Sequence, residues 1–164
     1  MNSLRDLIRD NQVLDLGPLP APRLAPNATV QQALQFLVRG RRGAIVVVEG
    51  GDSPRPVGIF TERDVLYRIS GGLFTSREHR HRIPLSEVMS QPPVTVRRSD
   101  PLVDAIGVMV REQYRHLVVV DRNRVLRGLL TTSDIVQFLT DQFPEETVNL
   151  PPRLRQRYTS REGA

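Results

Sequence analysis

The chain has 164 residues and a formal net charge of +5, and it contains no cysteine. This length predicts one compact body or two very small ones, and the lack of cysteine excludes disulfides, thiolate chemistry and cysteine-ligated metal sites. No apolar stretch approaches the roughly 20 residues of a membrane span, and no apolar segment typical of a secretory signal follows residues 1–6, so we expect no membrane partner and a cytoplasmic location.

The first predicted elements form an α/β unit over residues 13–72, after an N-terminal segment of residues 1–12. A short strand is expected at residues 23–24. A helix follows, because apolar residues recur at the spacing of one helical face; they are Val30, Ala33, Leu34, Leu37 and Val38. Residues 44–48 predict a strand buried on both sides, and residues 57–60 predict its neighbour. The closing helix is expected to bury Val65, Leu66 and Ile69.

The same elements return in a second unit over residues 85–142, beyond a linker of residues 73–84 that is predicted as a loop or short helix. Strands are expected at residues 94–96, 117–120 and 125–130. The apolar faces of the two helices contain Leu102, Ala105, Ile106, Met109 and Val110, and then Ile135, Val136 and Leu139. Residues 143–164 are predicted to be an extended tail that is ordered only if it docks on something.

The two units are copies of one another. Residues 33–48 match residues 105–120 at a shift of 72 positions, and residues 58–64 match residues 128–134 at a shift of 70. Such duplication is typical of one architecture built from similar units. Since a unit of about 55 residues is marginal as an independent core, we expect the two to pack on each other.

One motif, Gly-x-x-Thr-x-x-Asp, occurs in both copies at the point where a predicted strand ends and a predicted helix begins. Its residues are Gly58, Thr61 and Asp64 in the first motif (residues 58–64) and Gly128, Thr131 and Asp134 in the second motif (residues 128–134). Thr and Asp at this spacing form a capping box at a helix start, which is the commoner explanation for a single copy. The repetition also favours a ligand, because such a carboxylate can accept hydrogen bonds from both ribose hydroxyls. The glycine lets another group approach the strand.

The chain resembles a tandem pair of cystathionine-β-synthase-type (CBS) domains, the Bateman module, over roughly residues 13–142. The resemblance rests on the order of the elements, the two motifs, the run at residues 114–121 and the segment at residues 88–96. It implies an α/β (α+β) fold of two β-α-β-β-α units packed sheet to sheet with pseudo-twofold symmetry. It also implies two clefts for an adenosine ligand (AMP, ADP, ATP or S-adenosylmethionine) and a homodimer.

The resemblance gives each motif a set of ligand-binding residues. Asp64 and Asp134 would bind the ribose, and Thr61, Thr131 and Ser133 would bind ribose or phosphate. Ile59 and Leu129, which follow Gly58 and Gly128, would lie against the adenine. Arg115 and His116 would bind the phosphate. At the positions of Arg115 and His116 the first copy has glycine and alanine, so Arg42 or Arg63 would have to substitute there. The second site is therefore expected to be the better equipped.

The leading prediction is a regulatory nucleotide-sensing module that signals through an effector protein or through its dimer. Two alternatives stay open. A nucleic-acid-binding protein would use the basic surface, whose 23 basic residues are all arginine, and a ligand-free scaffold would only dimerise. No enzyme is predicted, because no nucleophile and base are recognisable. No metal site is predicted either, since His79 and His81 lack a third ligand.

Overall fold

The computed structural model describes residues 3–40, 42–70 and 77–142, without the side chains of residues 69, 70 and 77–79. The predicted C-terminal tail, residues 143–164, lies outside the described residues, as does the start of the predicted linker.

The described residues form six α-helices and six strands. The helices are α1 Leu4–Asp10, α2 Val30–Arg39, α3 Glu62–Ser70, α4 Arg77–Arg82, α5 Leu102–Glu112 and α6 Thr132–Gln142. The strands are β1 Arg23–Leu24, β2 Ala44–Glu49, β3 Arg55–Thr61, β4 Thr95–Arg97, β5 His116–Val120 and β6 Leu126–Thr131. Short 3-10 turns lie at Val13–Leu16 and Leu85–Glu87. Helix α4 lies in the segment predicted as the linker.

The strands form two three-stranded sheets with the same topology. In the first sheet β1 is parallel to β2, which pairs antiparallel with β3. In the second, β4 is parallel to β5, which pairs antiparallel with β6. Ala44 is opposite Thr61 in one sheet, and His116 is opposite Thr131 in the other. This confirms the α/β class and the predicted β-α-β-β-α order of each unit.

The two sheets pack face to face through one apolar layer. Because successive side chains of a strand point to opposite faces, Ile45 and Val47 contact the helices of their own unit, while Val46 points to the other sheet. Val118 is its counterpart in β5. The buried residues of this layer are Ala44, Val46, Val118, Val120, Leu126 and Leu129. The predicted sheet-to-sheet packing is thereby confirmed, and β2 and β5 are buried on both faces, as their wholly apolar sequences indicated.

The first residues of each unit pack in the core of the other unit. Val13 is buried with Leu102 in the second core, and Leu85 and Met89 are buried in the first core. The backbone follows the same pattern, since the Val13 N–H donates to the carbonyl of Asp100 at 3.0 Å. We call residues 13–20 the first lead-in and residues 83–90 the second lead-in. The polypeptide therefore passes from one core to the other at both lead-ins.

The helix faces differ from the prediction at their edges. Leu66 of α3 and Val136 of α6 were expected to be buried but are 70% and 58% exposed. Val38 and Val110, at the ends of α2 and α5, are also exposed. Ile135 is buried and Leu139 packs on the second core, as expected. A period of 3.6 residues defines an apolar stripe on a helix but not how much of that stripe becomes buried.

Within the described ranges, no helix combines the length and the apolar character that crossing a membrane requires.

Candidate functional site

A cavity of about 430 Å³ lies between the two units and is lined by both of them. It receives these residues of the predicted site: Ile59, Thr61, Arg63, Asp64, Arg115, His116, Thr131 and Ser133. Glu62, Ser90, Tyr114 and the segment around Arg42 also contribute to its wall. Asp134, Leu129 and the two motif glycines do not line it. The volume is in the range of small-molecule sites.

The first motif forms a capping box at the edge of this cavity. Asp64 Oδ2 accepts hydrogen bonds from the Thr61 backbone N–H at 2.8 Å and from the Thr61 hydroxyl at 2.7 Å. In return, Thr61 Oγ1 accepts from the Asp64 N–H at 3.3 Å. The second carboxylate oxygen, Oδ1, accepts from the Ser90 hydroxyl at 2.9 Å. The turn therefore fixes Asp64 through one oxygen and presents the other toward an exposed side chain of the second lead-in.

The second motif repeats this box with nearly the same distances. Asp134 Oδ2 accepts from the Thr131 N–H at 2.7 Å and from the Thr131 hydroxyl at 2.8 Å, and Thr131 Oγ1 accepts from the Asp134 N–H at 3.2 Å. The capping interpretation is thus confirmed for both copies. The two motifs are equivalent as local structure, because each satisfies free N–H groups at a helix start.

Arg42 makes the two motifs different. Its guanidinium binds both oxygens of Asp134, with Nη1 at 2.7 Å from Oδ1 and Nη2 at 3.0 Å from Oδ2. Nη2 also donates to the backbone carbonyl of Leu129. The two side chains are 19% and 18% exposed, so the pair is largely removed from water. We expected Arg42 as a phosphate ligand of the first site, and the structure places its guanidinium on the carboxylate of the second.

The motif glycines make room for the chain itself. A Cβ at Gly58 would stand 2.2 Å from the Sδ of Met89, and one at Gly128 would stand 2.7 Å from the carbonyl oxygen of Leu19. Each lead-in therefore lies against the glycine of a motif, in the space that the sequence suggested for a ligand. Leu129 is buried in the layer between the sheets. Contrary to the prediction that it contacts adenine, its side chain does not face an open site.

His116 donates a hydrogen bond, and burial disfavours its charged form. Burial lowers the pKa of His116 below its ordinary value of 6.5, although the hydrogen bond to the Arg42 backbone opposes this. Its Nε2 lies 2.8 Å from the carbonyl oxygen of Arg42. Since a carbonyl only accepts, the ring carries a hydrogen on Nε2, and Nδ1 is an acceptor in the neutral form. His116 is therefore a poor source of positive charge for a phosphate.

Charges of both signs remain on the cavity wall. Arg63 and Arg115 supply two cations, and Glu62 and Asp64 supply two carboxylates. The Arg63 guanidinium also donates to the carbonyl of Gln113 at 3.3 Å, across the boundary between the units. Arg115 thus lines a cavity that contains Asp64, whereas we had expected it to serve the second motif; Thr131 and Ser133 of the second motif line the same cavity. In the described part of the chain, no cluster of three or more His, Asp or Glu side chains is arranged to hold a metal ion.

Sequence reasoning missed Tyr114 and Ser90, which both line the cavity. Tyr114 stands at the position equivalent to Arg42 by the shift of 72 residues. Comparing the side chains at equivalent positions of the two units would have pointed to both Tyr114 and Arg42. Ser90 belongs to the second lead-in, whose approach to the first motif is visible only in the fold.

Comparison with known families gives two matches along the chain. A family model described as CBS domain matches residues 18–71 and again residues 85–141. CBS domain-containing protein YhcV of Bacillus subtilis is 33% identical over 125 residues, which cover 76% of this chain and 83% of YhcV. Uncharacterized protein MK0525 of Methanopyrus kandleri is 33% identical over 95 residues, or 58% of this chain, and the match spans 45% of that relative.

Among solved structures, the fold is similar to CBS domain protein PAE2072 from Pyrobaculum aerophilum complexed with AMP. The TM-score is 0.66 at 30% sequence identity, and the alignment covers 76% of this chain and 89% of that chain. The aligned part thus includes most of both units.

Proposed function

This chain belongs to the CBS domain family as a tandem pair, and we propose that it is a regulatory module that binds AMP in the cavity at Asp64. The observation that carries the proposal is the cavity itself, which both units line and which contains the Asp64 carboxylate together with Arg63 and Arg115. The similarity to PAE2072, a protein solved with AMP, supports the choice of ligand. A ligand held by both units can report on their arrangement.

The ribose is assigned to Asp64. This carboxylate is fixed by the Thr61 turn and lines the cavity. Ribose hydroxyls would take the place of the Ser90 hydroxyl at Oδ1, an exchange that costs little because Ser90 is exposed and can bond to water. Hydrogen bonds to a charged acceptor contribute about 1.5–3 kcal/mol each. Two of them would account for a large share of the affinity.

The charges on the wall favour one phosphate over three. Arg115 and Arg63 can bind a phosphate through two N–H groups, whereas Glu62 would repel a longer polyphosphate. AMP is therefore expected to bind more tightly than ADP and ATP. S-adenosylmethionine shares the adenosine part but offers no phosphate to Arg115, and we expect it to bind more weakly than AMP.

Regulation would follow from the shared wall. If AMP binds one relative arrangement of the two units better than another, it shifts the population toward that arrangement. A second protein, or a second copy of the chain, that recognises the same arrangement would then be coupled to AMP. The effector and the homodimer are both part of this proposal.

Calorimetry and thermal unfolding with AMP, ADP, ATP and S-adenosylmethionine test the proposal. AMP at 100 times its dissociation constant should add about 2.7 kcal/mol of stability. Asp64→Ala removes both ribose hydrogen bonds and should weaken AMP binding at least about 100-fold. Asp104→Ala, an exposed carboxylate on α5, is the matched control and should bind normally. No response to any of the four compounds, or equal binding by the Asp64 variant, would reject the site.

A further inference from the structure

We infer that Arg42 occupies the second motif as an internal substitute for a nucleotide, so that each chain binds one nucleotide and not two. The inference rests on the proposed function for the meaning of the first site. It concerns the second motif alone, where the carboxylate and the neighbouring carbonyl already have a partner from the other unit.

The contacts of Arg42 are those that a nucleoside would make. A ribose would offer two hydroxyl donors to the Asp134 carboxylate, and Arg42 offers two N–H donors to the same two oxygens, at 2.7 and 3.0 Å. An adenine amino group would donate to a backbone carbonyl beside it, and Arg42 Nη2 donates to Leu129 O. A planar guanidinium suits this role, because its donors form a fixed fork that matches a carboxylate.

Burial makes this contact a competitor for ligands. Both side chains of the pair are less than one-fifth exposed, at 19% and 18%. A nucleotide entering here would have to displace a charged group whose removal leaves a largely buried carboxylate without its cation. At the first motif, the corresponding competitor is the neutral, exposed hydroxyl of Ser90.

The lead-ins pair differently with the two motifs. At the first motif, the Ile59 N–H and carbonyl both pair with Ser90, at 3.0 and 2.9 Å. At the second motif, the Leu129 N–H pairs with Leu19 O at 3.2 Å, and the Leu129 carbonyl accepts from the Arg42 guanidinium. Arg42 thus bonds the carbonyl whose counterpart, that of Ile59, accepts from a backbone amide.

The side chain at one position separates the two motifs. Arg42 and Tyr114 are equivalent in the duplication, and each stands just before the middle strand of its sheet. Arg42 closes the second motif, whereas Tyr114 lines the open cavity at the first. Tyrosine has no cation to pair with a carboxylate, so Asp64 stays available. This equivalence makes the inference testable in both directions.

The experiment counts AMP sites by calorimetry in the full-length chain. Wild type should bind one AMP per chain, and Arg42→Ala should bind two. In the Arg42→Ala background, Asp134→Ala should remove the added site and Asp64→Ala should remove the original one. Arg42→Gln, which keeps length and polarity but cannot form the double contact, is the second variant should Arg42→Ala melt at a much lower temperature. Two sites in wild type, or no added site in either Arg42 variant, would overturn the inference.

The reciprocal variant introduces an arginine at position 114, where it would block the first motif as Arg42 blocks the second. Tyr114→Arg should place a guanidinium near Asp64 and weaken AMP binding at least tenfold. Val110→Arg, which adds the same charge at a side chain of α5 that is 71% exposed and does not line the cavity, is the control and should bind as wild type does. Equal affinities of the two arginine variants would contradict the role given to position 114. The gain of a site in Arg42→Ala tests the block at the second motif, and binding at Asp64 in wild type tests the proposed function. One added site in Arg42→Ala over a wild type that binds no AMP would reject the proposed first site and retain the block of the second motif by Arg42.

Discussion

The first and second motifs share a backbone turn but differ in what meets the carboxylate. The Thr N–H lies 2.8 Å from Asp64 Oδ2 in one and 2.7 Å from Asp134 Oδ2 in the other. Beyond the turn, Asp64 contacts an exposed serine, whereas Asp134 contacts a largely buried arginine. A duplicated motif can therefore keep its structural role in both copies while a residue outside it decides which copy remains open to a ligand.

The largest contrast is expected from removing the two carboxylates. Asp64→Ala loses a helix cap and should lower the free energy of unfolding by about 1 kcal/mol. Asp134→Ala loses the same cap and leaves Arg42 largely buried without its partner, so the loss should be about 3 kcal/mol. Urea unfolding of both variants measures the difference. In the Arg42→Ala background the Asp134 change should cost less, and equal losses for the two carboxylates would mean that the ion pair adds nothing.

A second contrast concerns the glycines under the lead-ins. A methyl group at Gly128 would meet the backbone carbonyl of Leu19 at 2.7 Å, whereas at Gly58 the nearest atoms all belong to the side chain of Met89. Since backbone cannot move aside as a side chain can, Gly128→Ala should cost about 2 kcal/mol and Gly58→Ala about 1 kcal/mol. Thermal unfolding without nucleotide compares the two. The reverse order would show that the first lead-in is the more adaptable.

The smallest contrast is a pH effect confined to the second unit, where His116 stands at the position that Ala44 occupies in the first unit. Its pKa in the folded protein lies below 6.5 because the ring is buried, so the unfolded chain takes up the proton first. The stabilisation is complete above about pH 6.5 and is lost as the pH falls toward the lowered pKa. Unfolding at about pH 7.5 and 5.5 measures this loss. His116→Gln should reduce it, and the exposed control His81→Gln should not; an unchanged slope in His116→Gln would contradict the assignment.

The sequence predicts what depends on local pattern. A wholly apolar run such as that of β2 or β5 has one favourable local structure, a strand buried on both faces. The spacing of Thr and Asp in the two motifs likewise has one, the capping box. Leu66 and Val136 were misplaced because periodicity defines an apolar stripe without saying how much of it the sheet covers. Their exposure depends on the packing of α3 and α6 against the rest of the unit.

The site was harder to predict because its residues come together across the boundary between the units. Arg115 follows the second lead-in along the chain, yet it lines the cavity of the first motif. Arg42 and Asp134 are 92 positions apart, and no local pattern joins them. The duplication did pair position 42 with position 114, and comparing the two side chains at each such pair would have been the shortest route to the difference between the motifs.

The crossing of the lead-ins has a consequence for how the protein is made. The Val13 N–H and the Leu14 N–H donate to the carbonyls of Asp100 and Arg98, so the first lead-in has no native partner until the second unit has been translated. At roughly 5–20 residues per second, it would wait about 5–20 s outside the ribosome with Val13 and Leu19 exposed. Translation of the second unit is thus the step that completes both cores, and a nascent chain that stops before it should be a target for chaperones and proteases.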